Sequence, residues 1–193
     1  GRYTDEAGKK ESGVYLIVNL VHIESGNRCI VAGTHLKAKP GEENERRRFR
    51  QIGQLLDDGV SVANGAAKGG VSVAAEEVKK EKVAILCGGD FNTDPFDIEG
   101  KQKALAVPAV LKWGMKSAYP LPNNCDSKEY TTWKVRGKKE AKHVIDYIFH
   151  NETLQVTELL EIPSQDKVEK GRYPGLRYPS DHIAIMGKFQ WVE

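Results

Sequence analysis

The sequence lacks an apolar run of roughly 18–20 residues, the length that a membrane-spanning helix needs, so it predicts no transmembrane helix. It also has few cysteines, three in 193 residues, and they form no CxxC or cysteine–histidine pattern that would hold a metal. Two of them lie in apolar, strand-like segments, which favours buried, reduced thiols. Because the first residues also lack the apolar core of a signal peptide, we expect an intracellular, cytoplasmic protein without a membrane partner.

Net charge is also small. With 29 Lys and Arg against 27 Asp and Glu, the formal charge is +2, which excludes strong attraction of nucleic acid by the whole molecule. Basic residues do gather locally in two clusters: Lys37, Lys39, Arg46, Arg47, Arg48 and Arg50, then Lys134, Arg136, Lys138, Lys139 and Lys142. Both clusters are compatible with solvated surface charge and with contact to a phosphate-bearing ligand.

The apolar pattern predicts one domain in which strands and helices mix without strict alternation. Strands are predicted over 14–20, 28–34, 82–87, 129–135, 143–149, 153–160 and 183–191. Helices are predicted over 42–56, ended by Gly59, over 74–80, and over 98–112, interrupted by Pro108. A Gly/Ala-rich loop is expected over 60–73. This order is typical of a layered α/β (α+β) fold with mixed sheets.

The segment 88–92, Gly-Gly-Asp-Phe-Asn, follows a strongly apolar strand. Its glycines allow a tight turn and a close approach of substrate. Asp90 and Asn92 are two residues apart, so an extended backbone would place both side chains on one face. A carboxylate there can ligate Mg²⁺ or accept a proton from water, and an amide can stabilise charge on a phosphoryl oxygen. The alternative is a polar turn that closes the strand.

Asp146 is the one carboxylate in an apolar strand, and burying it without a partner would cost several kcal/mol. His182, in Ser180-Asp181-His182, is the predicted partner, because its imidazole would be oriented and its charged form favoured by Asp146. Asp181 would then be free for a metal ion. The alternative for Asp146 is a structural ion pair with a nearby basic residue, Lys142 or Arg136.

His35 ends a predicted strand, where it either has a structural role or contacts the scissile phosphate. Lys37 and Lys39 follow at alternate positions and would bind phosphate. Further along, aromatic and basic side chains alternate: Tyr130, Trp133, Lys134 and Arg136. Such a segment suits stacking of nucleic-acid bases, although core packing of the two rings is the simpler alternative.

Four strings in this order, THL at 34–36, GDFN at 89–92, IDY at 145–147 and SDH at 180–182, resemble the endonuclease/exonuclease/phosphatase superfamily. THLKAK at 34–39, a helix with an E-x-x-R-x-x-Q-like pattern, YTTWK at 130–134 and YPSDH at 178–182 are most similar to its deadenylase branch, which comprises the nocturnin and carbon-catabolite-repressor types. The resemblance extends from about residue 14 to residue 191 and implies a DNase I-like sandwich of two mixed sheets between helices.

The resemblance also implies roles for individual residues. Asp90 would activate water or bind metal, Asn92 would contact the phosphoryl oxygen, and Asp146 would orient a phosphoryl-stabilising His182. His35 would lie by the leaving group, and Asp181 would assist the metal, which is Mg²⁺ with Mn²⁺ as an alternative. The substrate-binding residues would be Lys37, Lys39, Tyr130, Trp133 and Arg136.

One feature of the superfamily is not found in the sequence: the early Asn and the metal-ligating Glu that precede these motifs. Glu11 and Asn19 lie near the start of the chain but lack the surrounding pattern. We therefore expect residues 1–193 to be the C-terminal portion of a single domain. A sandwich without its first sheet would expose an apolar face, so a missing N-terminal half, a partner chain or a dimer would be needed to cover it.

The resemblance implies a Mg²⁺-dependent phosphodiester hydrolase, with 3′-to-5′ removal of poly(A) from RNA as the favoured reaction. A phosphatase for the 2′-phosphate of NADP(H) is the alternative with the same chemistry. An alternative of another class is a catalytically incomplete fragment that binds RNA or a protein.

Overall fold

The computed structural model describes residues 1–64, 83–99, 102–124 and 127–192. Ten strands are described there: β1 (Arg2–Thr4), β2 (Lys10–Val21), β3 (Arg28–His35), β4 (Ala84–Asp90), β5 (Lys116–Ser117), β6 (Thr132–Arg136), β7 (Lys139–His143), β8 (Asp146–His150), β9 (Leu154–Leu159) and β10 (Gly187–Trp191). The helices are α1 (Glu42–Ala63), α2 (Ala106–Lys112) and a 3₁₀ turn (Gln165–Lys167).

Six strands form one mixed sheet in the order β1-β2-β3-β4-β8-β5. Strands β3 and β4 are parallel, and the other neighbours are antiparallel. The parallel pair requires a crossover, and α1 lies within it. Strands β6 and β7 form one separate two-stranded ribbon, and β9 and β10 form another. The predicted mixed α/β architecture is therefore confirmed.

The main core lies between the large sheet and the two helices. Apolar side chains recur along one face of α1 and pack against Ile30, Ile85 and Phe149 of the sheet. Among them, Ile52, Leu55 and Leu56 are the buried residues that the periodicity predicts. Pro108 lies in the first turn of α2, where its missing N–H would have no acceptor within the helix, so the helix tolerates it.

The opposite face of the large sheet carries apolar side chains that remain in contact with solvent. On β2, Val14, Leu16, Val18 and Leu20 alternate with inward residues and are 36–65% exposed. Beside them an open groove of about 560 Å³ runs over β3, β4 and β8 to the chain segment around Phe189. The layer that the sequence leads us to expect over this face stays a prediction.

Several predicted boundaries were wrong. The first helix does not end at Gly59 but continues to Ala63, because Val60 and Ala63 are buried in the core. The helix predicted over 98–112 is confined to Ala106–Lys112. The strand predicted over 143–149 is divided between β7 and β8, and β1 was not predicted.

Some predictions lie outside the described residues: the helix over 74–80, most of the Gly/Ala-rich loop and Cys125. Cys29 and Cys87 are described, and both are free and buried, as expected. Among the described helices, none combines the length and the apolar composition that crossing a bilayer requires.

Candidate active site

Three neighbouring strands of the large sheet bring the predicted site residues into one row. In the parallel pair β3–β4, His35 lies opposite Asp90. In the antiparallel pair β4–β8, Asp90 lies opposite Asp146. Cross-strand partners of this kind have Cβ atoms about 4.5–5.5 Å apart. The row therefore places two carboxylates and an imidazole side by side at one edge of the sheet, although they are far apart in the chain.

The glycine before Asp90 makes this row possible. Gly89 has φ = 137°, a backbone conformation that L side chains rarely adopt. A Cβ at this position would also overlap the carbonyl oxygen of Thr34 on β3. The close approach of β3 and β4 at the site therefore depends on this glycine.

Asp146 and His182 form the pair that the sequence predicts. The imidazole Nδ1 of His182 lies 2.9 Å and 3.1 Å from the two carboxylate oxygens of Asp146. Burial raises the pKa of the Asp146 carboxyl above its ordinary value, and hydrogen bonds involving Thr131 and His182 oppose this rise. The pair fixes the ring so that Nε2 points towards Asp90, with 4.0 Å between this nitrogen and Oδ2.

Asp90 lies between two imidazoles. Its Oδ2 is 3.5 Å from Nε2 of His35, whose side chain is 67% exposed. Its Oδ1 accepts a hydrogen bond of 2.8 Å from the backbone N–H of Asn92, which holds the carboxylate in place. Asn92 has φ = 54° and donates its side-chain amide to the carbonyl of Leu36. This left-handed backbone is not the extended one that the spacing of Asp90 and Asn92 predicted, and the contact of the Asn92 amide with a phosphoryl oxygen stays a prediction.

Asp90, Asp146 and His182 could hold a metal ion, since each offers a ligand atom and these atoms lie within 4.8 Å of one another. His182 Nδ1 is already engaged with Asp146, so Asp90 is the carboxylate of the three that is best placed for a cation. Mg²⁺ is commonly bound by one or two carboxylates together with water and substrate phosphate, so this donor set fits it.

Asp181 does not join this group. Its carboxylate accepts a 2.6 Å hydrogen bond from the Lys134 ammonium and lies 3.4 Å from the guanidinium of Arg136. Lys134 holds the pKa of the Asp181 carboxyl below its ordinary value. The expectation of a free metal ligand at Asp181 is therefore corrected by this structure, because two cations from β6 already neutralise the carboxylate.

Tyr130 and Trp133 do not form a surface for base stacking. They are 1% and 6% exposed and pack edge to face in a small core with Val168 and Ile183. The indole is also covered by the guanidinium of Arg172, 4.3 Å from the ring centroid. Core packing, the alternative that the sequence left open, describes both rings. Arg136, by contrast, has a side chain that is 79% exposed.

Lys37 and Lys39 follow His35 in a segment that bends away from the sheet. Lys37 is half-buried, and Lys39 is exposed with φ = 81°. Contact of their ammonium groups with phosphate stays a prediction.

Thr131 was not predicted from the sequence. Its hydroxyl accepts both the Ile145 and the Asp146 backbone N–H groups and so fixes the start of β8. No sequence signal distinguishes this threonine from its neighbour Thr132.

Replacing Asp146 by Asn should change how stability depends on pH. The folded-state pKa is raised above the ordinary 3.8, so the folded state holds the proton more tightly than the unfolded chain. This contribution to stability is present below 3.8 and is lost as pH rises through the raised pKa. The unfolding free energy of Asp146→Asn minus that of wild type should therefore increase over this window, measured by urea denaturation at several pH values.

Asp181→Asn is the matched control. Its effect on the pH dependence of stability should have the opposite sign, because the pKa of Asp181 is lowered in the folded state. Here the variant should lose stability relative to wild type as pH rises through the lowered pKa towards 3.8. Equal pH dependences for the two variants would contradict the assignment of opposite environments to these carboxylates.

Known proteins are similar in sequence to most of this chain. The chain is 33% identical to nocturnin of Xenopus laevis over 187 residues, which cover 95% of this chain and 42% of that protein. It is 27% identical over 209 residues to the CCR4-Not complex 3′-5′-exoribonuclease subunit Ccr4 of Yarrowia lipolytica, covering 94% of this chain and 28% of the relative. No protein-family model matches the chain.

The fold is similar to the human nocturnin catalytic domain, with a TM-score of 0.66 and 26% identity over 99% of this chain and 57% of that one. The similarity to nocturnin and to Ccr4, together with the shared fold, supports the endonuclease/exonuclease/phosphatase superfamily, in its deadenylase branch. The chain spans less than half the length of these two relatives.

Proposed function

We propose that the protein carrying this chain is a divalent-metal-dependent phosphohydrolase that removes nucleotides from the 3′ end of poly(A) RNA. The observation that carries the proposal is the arrangement of Asp90, Asp146 and His182, in which a largely buried carboxylate orients an imidazole towards a second carboxylate. The nuclease named among its relatives is a 3′-5′-exoribonuclease subunit, which supports RNA as the substrate.

The proposed chemistry follows from where the atoms lie. Asp146 accepts the Nδ1 proton of His182, so a proton on Nε2 is directed at the space beside Asp90, where it can stabilise charge on a phosphoryl oxygen. Asp90 positions the attacking water or accepts its proton. His35, on the other side of Asp90, would contact the leaving oxygen.

Asp90 would hold the metal, and Asp146 and His182 would offer the further ligand atoms, which lie within 4.8 Å. When bound, Mg²⁺, or Mn²⁺ in its place, would supply positive charge to the phosphoryl oxygens of the substrate. Lys37, Lys39 and Arg136 would bind the neighbouring phosphates, since flexible ammonium groups and an exposed guanidinium suit such contacts.

A phosphatase for the 2′-phosphate of NADP(H) is the second candidate, and one observation favours it. Because Tyr130 and Trp133 are buried, neither ring offers a stacking surface to a run of RNA bases. The remaining contacts are basic groups, which suit a compact nucleotide that carries several phosphates and needs no stacking surface.

The exposed apolar face of the large sheet supports a further part of the proposal. Its β2 side chains and the adjoining groove would be covered in the active protein by an N-terminal half, a partner chain or a second copy. The relatives are more than twice as long as the matched segment, so a longer chain offers one such cover. Without its cover, this chain would be the catalytically incomplete binding fragment that the sequence leaves as an alternative.

The deciding experiment compares poly(A) RNA with NADPH as substrates for this chain and for the full-length protein, with Mg²⁺ and with EDTA. We expect Mg²⁺-dependent shortening of poly(A) from the 3′ end by the full-length protein. Release of phosphate from NADPH without RNA shortening would favour the phosphatase instead.

Titration of this chain with Mg²⁺ in a calorimeter separates an enzyme from a binding fragment. Saturable binding that Asp90→Asn removes would contradict the non-catalytic alternative. Metal-independent hydrolysis of either substrate would contradict the proposed mechanism.

A further inference from the structure

Three polar residues on the inner face of α1 are completely buried. Glu45, Arg48 and Gln51 follow one another at intervals of three residues, and each is 0–1% exposed. A buried charge is costly unless it is paired and hydrogen-bonded, so a network with two charged members needs an explanation beyond packing. The sequence contains them as the E-x-x-R-x-x-Q pattern, but the distribution of charge along the sequence places Arg48 in a basic cluster that is either solvated or in contact with a phosphate-bearing ligand.

Arg48 connects this helix to the segment that carries the two predicted phosphate-binding lysines. One guanidinium nitrogen, Nη1, donates to the carbonyl oxygens of Lys37 and of Lys39, both at 2.8 Å. A single planar group therefore holds two carbonyls that are two residues apart. Since its donors have a fixed geometry, they define the path of the chain between these carbonyls more closely than a flexible amine would.

Other members of the network hold the same segment and position the guanidinium. Gln51 accepts the backbone N–H of Lys37 at 2.9 Å, and Glu45 accepts Nε of Arg48 at 2.6 Å. The remaining guanidinium nitrogen, Nη2, donates to the side-chain oxygen of Gln102. Lys37 is thus held at both its N–H and its carbonyl, and Lys39 at its carbonyl.

The network also extends to the loop after Asp90. Gln102 donates its side-chain amide to Thr93 Oγ1 at 3.0 Å and accepts the N–H of Gly41 at 3.2 Å. On the other side, Asn92 donates to the carbonyl of Leu36, directly before the lysine segment. The segment 36–41 and the loop 92–93 are therefore fixed relative to one another through buried groups of helix α1 and Gln102.

We propose that Arg48, supported by Gln51, is a positioning residue that sets the backbone of segment 37–41 so that Lys37 and Lys39 act together on one phosphate-bearing ligand. The residue touches no substrate and acts through two carbonyl groups. This inference rests on the proposed function for the role of the lysines. A ligand that bridges both ammonium groups gains from their fixed spacing, because less conformational freedom is lost on binding.

Arg48→Lys is the test, because it keeps the buried positive charge beside Glu45 but cannot reproduce the double contact with the carbonyls. Binding of a fluorescent oligo(A) by this chain, measured by anisotropy, should weaken about 5–10-fold. Arg46→Lys is the matched control: Arg46 is on the same helix and also pairs with a glutamate, Glu42, but is exposed. It should bind oligo(A) like wild type.

A double-mutant cycle distinguishes positioning from a general loss of structure. In a chain that already carries Lys37→Ala and Lys39→Ala, Arg48→Lys should weaken binding by less than 2-fold, because no lysine is left to position. An equal loss in both backgrounds would overturn the inference. Gln51→Met provides a second, milder variant, since it removes the acceptor of the Lys37 N–H and retains the length of the side chain.

Amide hydrogen exchange at Lys37 provides a readout that does not depend on any ligand. Its N–H donates to Gln51, so exchange should accelerate in both variants and not in Arg46→Lys. Unchanged exchange and unchanged oligo(A) affinity would overturn the positioning role while the proposed function stands. Failure of wild type to bind oligo(A) or inorganic phosphate would instead count against the proposed function, with accelerated exchange in the variants still supporting the positioning of the segment.

Discussion

Replacing Asp90 by Asn in the full-length protein is expected to lower kcat about 10³-fold, since the carboxylate is asked both to hold a cation and to position water. Asn is the same size and leaves the strand pairing of Asp90 with His35 and Asp146 in place. The loss would therefore report the missing charge rather than a disturbed fold. Steady-state hydrolysis with wild-type and variant protein at saturating Mg²⁺ measures it.

Glu158→Gln is a suitable control for this comparison. Glu158 pairs with Lys188 on the surface of the β9–β10 ribbon, and both side chains are 70% exposed. Its loss should change kcat by less than 2-fold, because exposed ion pairs contribute little and this one contacts no site residue. Retention of wild-type hydrolysis by Asp90→Asn would contradict the assignment of the active site.

Replacing Glu45 by Gln is expected to lower the free energy of unfolding by about 3–5 kcal/mol, the range for breaking a buried ion pair by removal of one partner. Both Glu45 and Arg48 are fully buried, and the carboxylate also accepts the N–H groups of Leu105 and Ala106 at the start of α2. The neutral amide would leave the guanidinium of Arg48 without its counter-ion. Urea denaturation followed by circular dichroism gives the difference.

The same helix supplies a closely matched control. Glu42 and Arg46 form an ion pair of 2.7 Å, close to the 2.6 Å of the buried pair, but their side chains are 65% and 70% exposed. Glu42→Gln should cost less than about 1 kcal/mol. Similar losses for the two substitutions would mean that burial does not determine the strength of these pairs, and would also weaken the role inferred for Arg48.

The sequence was sufficient to predict the members of the central row, because His35 and Asp90 each end an apolar strand and Asp146 is a lone carboxylate in one. In the structure Asp146 begins β8, and the pairing of β8 with β4 brings it opposite Asp90. The need of a buried carboxylate for a partner also predicted the contact between Asp146 and His182. These predictions depended on strand ends and on burial, both of which leave a pattern in the sequence.

Predictions that depended on the direction of single side chains were less successful. Asp181 was expected to be free, but Lys134 and Arg136 lie on the strand beside it, and that neighbourhood arises from tertiary structure. Trp133 was given a role in stacking, yet Arg172, distant in the sequence, covers the ring. The charges of Glu45 and Arg48 gave no sign of burial, because charged residues on a helix are usually solvated.

The row of His35, Asp90 and Asp146 also has a consequence for folding. Its members are contributed by β3, β4 and β8, so the row exists only after the parallel crossover has closed and β8 has joined β4. Contacts between strands so distant in the chain form slowly compared with local structure. A folding intermediate that lacks β8 would contain His35 and Asp90 but not Asp146. Full recovery of metal binding during refolding would therefore time the arrival of β8 at the sheet.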